Sequence, residues 1–120
     1  MLQVVFNEIS AAEISRLDTL LQLDLLSQFK VTQDDLKQPD GVRFGIMERE
    51  GRTLYRYRAR DYRIYFEIVG EGVRVHRVLH KNTLQDFLFR TKLPLSEDEA
   101  LSKSKTFWKL IEEGENARRV

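Results

Sequence analysis

Arg52-Thr53-Leu54-Tyr55-Arg56-Tyr57-Arg58-Ala59-Arg60, followed at once by Asp61-Tyr62-Arg63-Ile64-Tyr65-Phe66-Glu67-Ile68, is the stretch on which the fold turns. Side chains alternate across a strand. In the first run Arg56, Arg58 and Arg60 therefore take one face while Tyr55, Tyr57 and Ala59 take the other. In the second, Tyr62, Ile64, Phe66 and Ile68 form an apolar face, and Arg63, Tyr65 and Glu67 point the opposite way. The polar pair Arg60-Asp61 between them leaves room only for a tight turn, so the two runs pair antiparallel. If both apolar faces meet a helical layer, Arg56, Arg58 and Arg63 share the exposed side.

The same pattern extends outward. Residues 42–49 and 73–80 are further β-type runs, set off by Glu50-Gly51 and by Gly70-Glu71-Gly72, which predicts a four-stranded antiparallel meander. Upstream, residues 3–7 read as a short strand. Ser10-Ala11-Ala12-Glu13 reads as a capping box opening a helix to about Phe29, with a leucine stripe wider than one contact needs. One helical turn is expected at 32–37, before the breaker Pro39-Asp40-Gly41. Downstream, Asn82 is placed as the cap of a short helix over 83–90 that Pro94 closes. Ser96-Glu97-Asp98-Glu99 is a second capping box, opening a helix that ends at Gly114, with Leu95 stapled on its first turn and Leu101, Phe107, Trp108 and Ile111 on its apolar face. The expected architecture is α+β, an N-terminal strand and helix packed on the meander, with C-terminal helices. Residues 1–93 form the domain and 94–120 a C-terminal helical extension of it.

The chain has 120 residues, 20 Lys+Arg against 19 Asp+Glu, and a formal net charge of +1. The total hides a partition: residues 1–40 hold 3 basic and 7 acidic side chains, 41–93 hold 12 and 6, and 94–120 hold 5 and 6. A basic centre thus stands between two acidic ends. Cys is absent, which excludes disulfides and thiolate metal sites. His76 and His80, four residues apart on one strand, would stand about 13 Å apart, too far to share an ion, so no metal and no cofactor is expected. Neither a signal-peptide pattern nor a membrane-spanning apolar run is present, so a cytoplasmic protein with no membrane partner is expected.

Guanidiniums on one rigid surface suit phosphate, because each offers planar paired donors and stays charged. Tyr65 beside them could stack on a base or donate a hydrogen bond. The competing reading is that a wet sheet face carries charge as a matter of course, its arginines guarding edges and pairing with Glu48, Asp61 and Glu67. Of Arg74 and Arg77, which have opposite parity, one facing the helical layer would need a carboxylate such as Asp18 or Asp24.

Leu54-Tyr55-Arg56-Tyr57-Arg58, then Asp61-Tyr62-Arg63-Ile64-Tyr65-Phe66-Glu67-Ile68, then a strand ending Val78-Leu79-His80-Lys81 before a short helix, resembles the core of the RelE/ParE toxin superfamily over about residues 1–90. The resemblance implies a RelE-like toxin of a type II toxin–antitoxin system: a translational repressor that cuts mRNA on the ribosome without metal and is neutralised by an antitoxin. Cleavage by attack of the ribose 2′-hydroxyl on the adjacent phosphate needs a base, a cation for the developing charge and an acid. The resemblance assigns Arg63 to the scissile phosphate, Arg56 and Arg58 to the paired basic positions and Lys81 to the basic position after the last strand. Arg60 adds a further phosphate-binding cation. Phe87 falls where many ribonuclease members carry a tyrosine; it can stack on a base but cannot exchange a proton, so His80 or Tyr65 becomes the proton carrier. Phe87, the long C-terminal helix and the surplus leucines favour an alternative, a catalytically inactive RelE-fold binding module for a protein or RNA partner, with a protein contact through residues 94–120; a ParE-like gyrase inhibitor is a third reading. Where residues 94–120 dock decides between them.

Overall fold

The computed structural model describes residues 2–88 and 96–120. Three hairpin turns build its centre. Strands β2 (Phe44–Arg49), β3 (Arg52–Ala59), β4 (Tyr62–Val69) and β5 (Gly72–His80) pair antiparallel in chain order. At the β2–β3 turn Glu50 and Gly51 both take positive φ, 53° and 78°, the geometry that matches the right-handed twist of a two-residue hairpin. The sheet is five-stranded and mixed rather than four-stranded, because β1 (Gln3–Phe6) joins it, parallel to β5, in the order β1-β5-β4-β3-β2.

The N-terminal helix is two helices, not one. Asn7 rather than Ser10 caps α1 (Glu8–Ser15): its Oδ1 accepts from Ser10 N–H at 2.7 Å, and its own N–H donates to Ser10 Oγ at 3.0 Å. Its Nδ2 then donates to Val75 O, His76 O and Gly114 O at 3.0, 3.1 and 2.7 Å, so one buried amide ties the β1–α1 junction to β5 and to the C-terminal helix. Asp18 starts a second helix, α2 (Thr19–Gln28), by accepting from Leu21 N–H. An Asp preceded by a free turn competes for that N–H better as a cap than as a helix interior residue. α3 (Gln33–Lys37) opens on a Thr32–Asp35 capping box.

After β5 the chain turns directly into α4 (Lys81–Leu88), earlier than a cap at Asn82 would place it. The predicted end of that helix at Arg90, the stop at Pro94 and the staple at Leu95 fall outside the described residues. The single C-terminal helix expected from Ser96 is divided. α5 (Glu97–Ser102) is capped by Ser96, and Ser104 Oγ restarts the chain as α6 (Lys105–Asn116). Gly114 lies within α6, not at its end, and its role is contact: a Cβ there would stand 2.1 Å from His76 O, so only glycine lets α6 lie this close to β5.

The sheet separates two cores. On one side Leu25, Phe29, Val31, Phe44, Tyr57, Ala59, Ile64 and Phe66 pack with Ile14. On the other, Met47, Leu54, Tyr65 and Leu79 meet Leu84, Leu101, Phe107, Trp108 and Ile111. The C-terminal extension is thus a structural layer, holding about half of the buried apolar side chains on its side. No helix among the described residues is long and apolar enough to cross a membrane.

Candidate functional site

The arginines of β3 and β4 do face one side together, but that side is covered. Arg56 is fully buried and Arg63 nearly so, at 0% and 8% exposure. The expected exposed cationic face is corrected by α5, whose first-turn carboxylates sit on it. Arg56 grips Asp98 with two bonds, Nε to Oδ1 at 3.1 Å and Nη2 to Oδ2 at 3.0 Å. Its remaining donors reach Val42 O, Arg43 O and Gly41 O. The loop presenting those carbonyls is held by Asp40, which accepts from the N–H groups of Val42, Arg43 and Phe44. The bonds from Phe44 and Val42 keep the Asp40 carboxyl below its usual range. Gly45 makes room: a Cβ there would stand 2.3 Å from Arg56 Nη2.

Arg63 Nε donates to Glu97 Oε2 at 3.0 Å, and its Nη1 donates to Arg60 O and Tyr62 O. Arg58 reaches the same Glu97 oxygen only at 3.8 Å and keeps 37% of its side chain in solvent. Tyr65 lies beneath the helical layer, with its ring edge-on to Phe107 at 4.9 Å between centroids. Its hydroxyl finds no hydrogen-bond partner among the described residues. Burial, then the negative charge of Glu97 and Asp98, pushes that hydroxyl well above its ordinary value. A neutral, sealed phenol is in no position to exchange protons with solvent or substrate.

The other predicted residues lie elsewhere. His80 pairs in register with Tyr62 and sets its ring edge-on to it at 5.0 Å, so it shares the face of Tyr62 and not that of Arg63. Its Nδ1 accepts from Asn82 N–H at 3.0 Å, which leaves Nε2 to carry the proton of the neutral ring. Lys81 is tethered to Asp61, 3.2 Å away, at the exposed end of the hairpin. Arg60 turns to the opposite helical layer and meets Asp24 at 2.7 Å. Phe87 packs against the second core from α4 rather than standing free to stack. The structure therefore brings together Arg56, Arg58, Arg63 and Tyr65, and separates them from both His80 and Arg60.

Two part-buried clusters hold partners that were not foreseen, Glu13 in one and His76 and Glu115 in the other. Glu13 of α1 receives Arg77 Nη2 at 2.9 Å and the Val78 N–H at 2.9 Å, so the carboxylate required near Arg77 is Glu13 and not Asp18 or Asp24. Glu67 takes Arg52 Nε at 2.6 Å and has His76 Nε2 at 3.3 Å, while Arg52 also pairs with Glu115 of α6. Desolvation alone would raise the Glu67 carboxyl, but the contacts with His76 and Arg52 outweigh it and hold the group below its ordinary value. A β-bulge at Tyr65/Phe66 leaves His76 unpaired in the register, where an alternating pattern could not put it. One signal for the covered face was present in the sequence: Met47, Leu54, Tyr65 and Leu79 put one large apolar or aromatic side chain from each of four strands on the arginine side.

No family model, curated protein or solved structure matches the chain.

Proposed function

We propose that this chain is a RelE/ParE-like protein that acts by binding a protein partner rather than by cutting mRNA. The observation that carries the reading is the double pairing of Arg56 with Asp98 and Arg63 with Glu97 beneath α5. A phosphate would have to displace a carboxylate from each guanidinium, and in doing so would expose Leu101 and Phe107, both at 0%. No proton carrier is available at the spot either: Tyr65 is there but sealed, and His80 belongs to the other face. General acid–base help is worth roughly 10²- to 10⁴-fold, so a site lacking it cleaves poorly even if RNA reaches it. The surface that remains for a partner is the outer side of α2, where Leu20, Leu23 and Leu26 are exposed by 80%, 60% and 44%.

The ribosome-dependent toxin is the second reading, favoured by the accessible pair Arg58 and Lys81 at one end of the sheet. Induced expression in a bacterium, with growth and mRNA integrity followed, separates the two. Binding alone predicts intact mRNA and no difference between the natural chain and Arg63→Ala. Growth arrest with cut mRNA, relieved by Arg63→Ala, establishes the nuclease instead. Growth arrest with DNA-damage induction and intact mRNA selects a gyrase inhibitor. Co-purification with the tagged chain then identifies the partner: an antitoxin-like small protein and a ribosome give different bands.

A further inference from the structure

Most of the basic centre is neutralised inside the molecule, which draws attention to the cations that are not. Arg49 ends β2 directly opposite Arg52 at the start of β3. Like charges placed opposite one another on a sheet repel. Arg52 is compensated by Glu67 and Glu115 and lies over the Trp108 ring at 5.8 Å. Arg49 is not compensated among the described residues: its Nη1 is buried without an acceptor there. Around this pair the hairpin and α6 enclose a recess of about 460 Å³, into whose wall Lys105, Trp108 and Lys109 also enter. Arg49, Lys105 and Lys109 form no ion pair among the described residues. Glu50 and Glu112 complete the rim and are exposed, as Lys105 and Lys109 are, so the lining as a whole carries four cations against two carboxylates. The first turn of α6 offers no carboxylate. Three cations without an ion pair among the described residues, one of them the Arg49 guanidinium with its buried, unsatisfied donor, around a ligand-sized hollow form an arrangement that an anion would stabilise.

We propose that this recess binds a phosphate ester of about mononucleotide size, with Arg49 and Lys109 as the principal phosphate contacts and Lys105 as the outer cation. The volume falls within the range of small-ligand sites, roughly 300–1,000 Å³. A phosphate is favoured over a carboxylate because a guanidinium and two ammoniums can together engage three oxygens and a double charge. None of Arg56, Arg63, Glu97, Asp98 or the exposed leucines of α2 lines the recess, so the inference stands or falls independently of the reading above.

Trp108 is the only tryptophan in the chain and lines the recess, so its fluorescence reports occupancy directly. The full chain is titrated at low salt with ribose 5-phosphate, with ribose, and with a short oligoribonucleotide. The expected result is a saturable change with ribose 5-phosphate and none with ribose, and affinity that falls as salt is raised. Arg49→Gln combined with Lys109→Gln is expected to weaken binding at least about tenfold. The same variant should unfold at an unchanged or higher temperature, because it also removes the like-charge pair. Tighter binding of the oligomer than of the monoester assigns the recess to an RNA backbone; equal binding assigns it to a free phosphate ester. No saturable response to either phosphate-bearing compound, or an undiminished response in the double variant, overturns the proposal.

Discussion

The two faces of the sheet are closed by different means. Beneath α2 the contact is an aromatic cluster, in which Phe29, Phe44, Tyr57 and Phe66 meet ring to ring with centroids 5.1–6.5 Å apart, and the ion pairs of that layer, such as Arg60 with Asp24, lie at its rim. Toward α4, α5 and α6 a similar apolar cluster surrounds two guanidiniums, and the fit depends on two acidic side chains of α5 arriving at the right place. Burial of apolar surface is non-directional and insensitive to pH. A buried ion pair is neither: its attraction offsets its desolvation only with both partners in place. The second face is therefore the specific one, the face that dictates how the C-terminal segment docks, and the more fragile one.

That contrast can be broken in graded steps. Phe66→Ala should cost about 3–5 kcal/mol, since it opens a cavity against the rings of Phe29, Phe44 and Tyr55, and denaturant unfolding should show the loss equally at pH 5 and pH 7. Asp98→Asn should cost about 3 kcal/mol by leaving Arg56 charged and half-paired in the core, read as a lowered denaturant midpoint at unchanged m-value. Gly114→Ala should cost about 2 kcal/mol, because α6 must move off His76 O; the same change at Gly70, where no atom lies within 4 Å of a Cβ, lacks that clash and carries only the strain of its positive φ. Acid acts next. The Glu67 carboxyl titrates lower in the folded chain than its ordinary 4.5, so the stability it contributes is complete above that value and is lost as pH falls through the folded one. Glu67→Gln should flatten that part of the pH–stability curve and leave the neutral-to-alkaline part in shape. Arg60→Ala should be the smallest step, under about 1 kcal/mol, because its pair with Asp24 is mostly in solvent, with Arg60 64% exposed.

The hairpins and the faces of β3 and β4 were legible because each follows from neighbours in sequence: Glu50-Gly51 can only be a tight turn, and alternation from Tyr62 to Ile68 fixes which side enters a core. The helix breaks were less so. Asp18 and Ser104 sit within periodic apolar stretches, and periodicity hides a cap that does not interrupt it. The parallel pairing of β1 with β5 joins residues about seventy positions apart, with no local signal. For the arginine face, the residue types, their side of the sheet and the apolar stripe of the last helix could all be read, but not the docking of one on the other. Asp98 and Glu97 looked like the first turn of a helix, which they are, and their second role as partners of Arg56 and Arg63 exists only in three dimensions.

A double-mutant cycle between Arg56→Met and Asp98→Asn, read by denaturant unfolding, tests most directly whether the basic face is a sealed structural contact. Sealing predicts that the two changes are strongly non-additive, with a coupling energy of at least about 2 kcal/mol, and that Arg56→Met rescues much of the loss caused by Asp98→Asn. Additive effects below about 0.5 kcal/mol each, the behaviour of a solvent-exposed pair, would mean that the face stands open in solution and that the arginines are free for RNA.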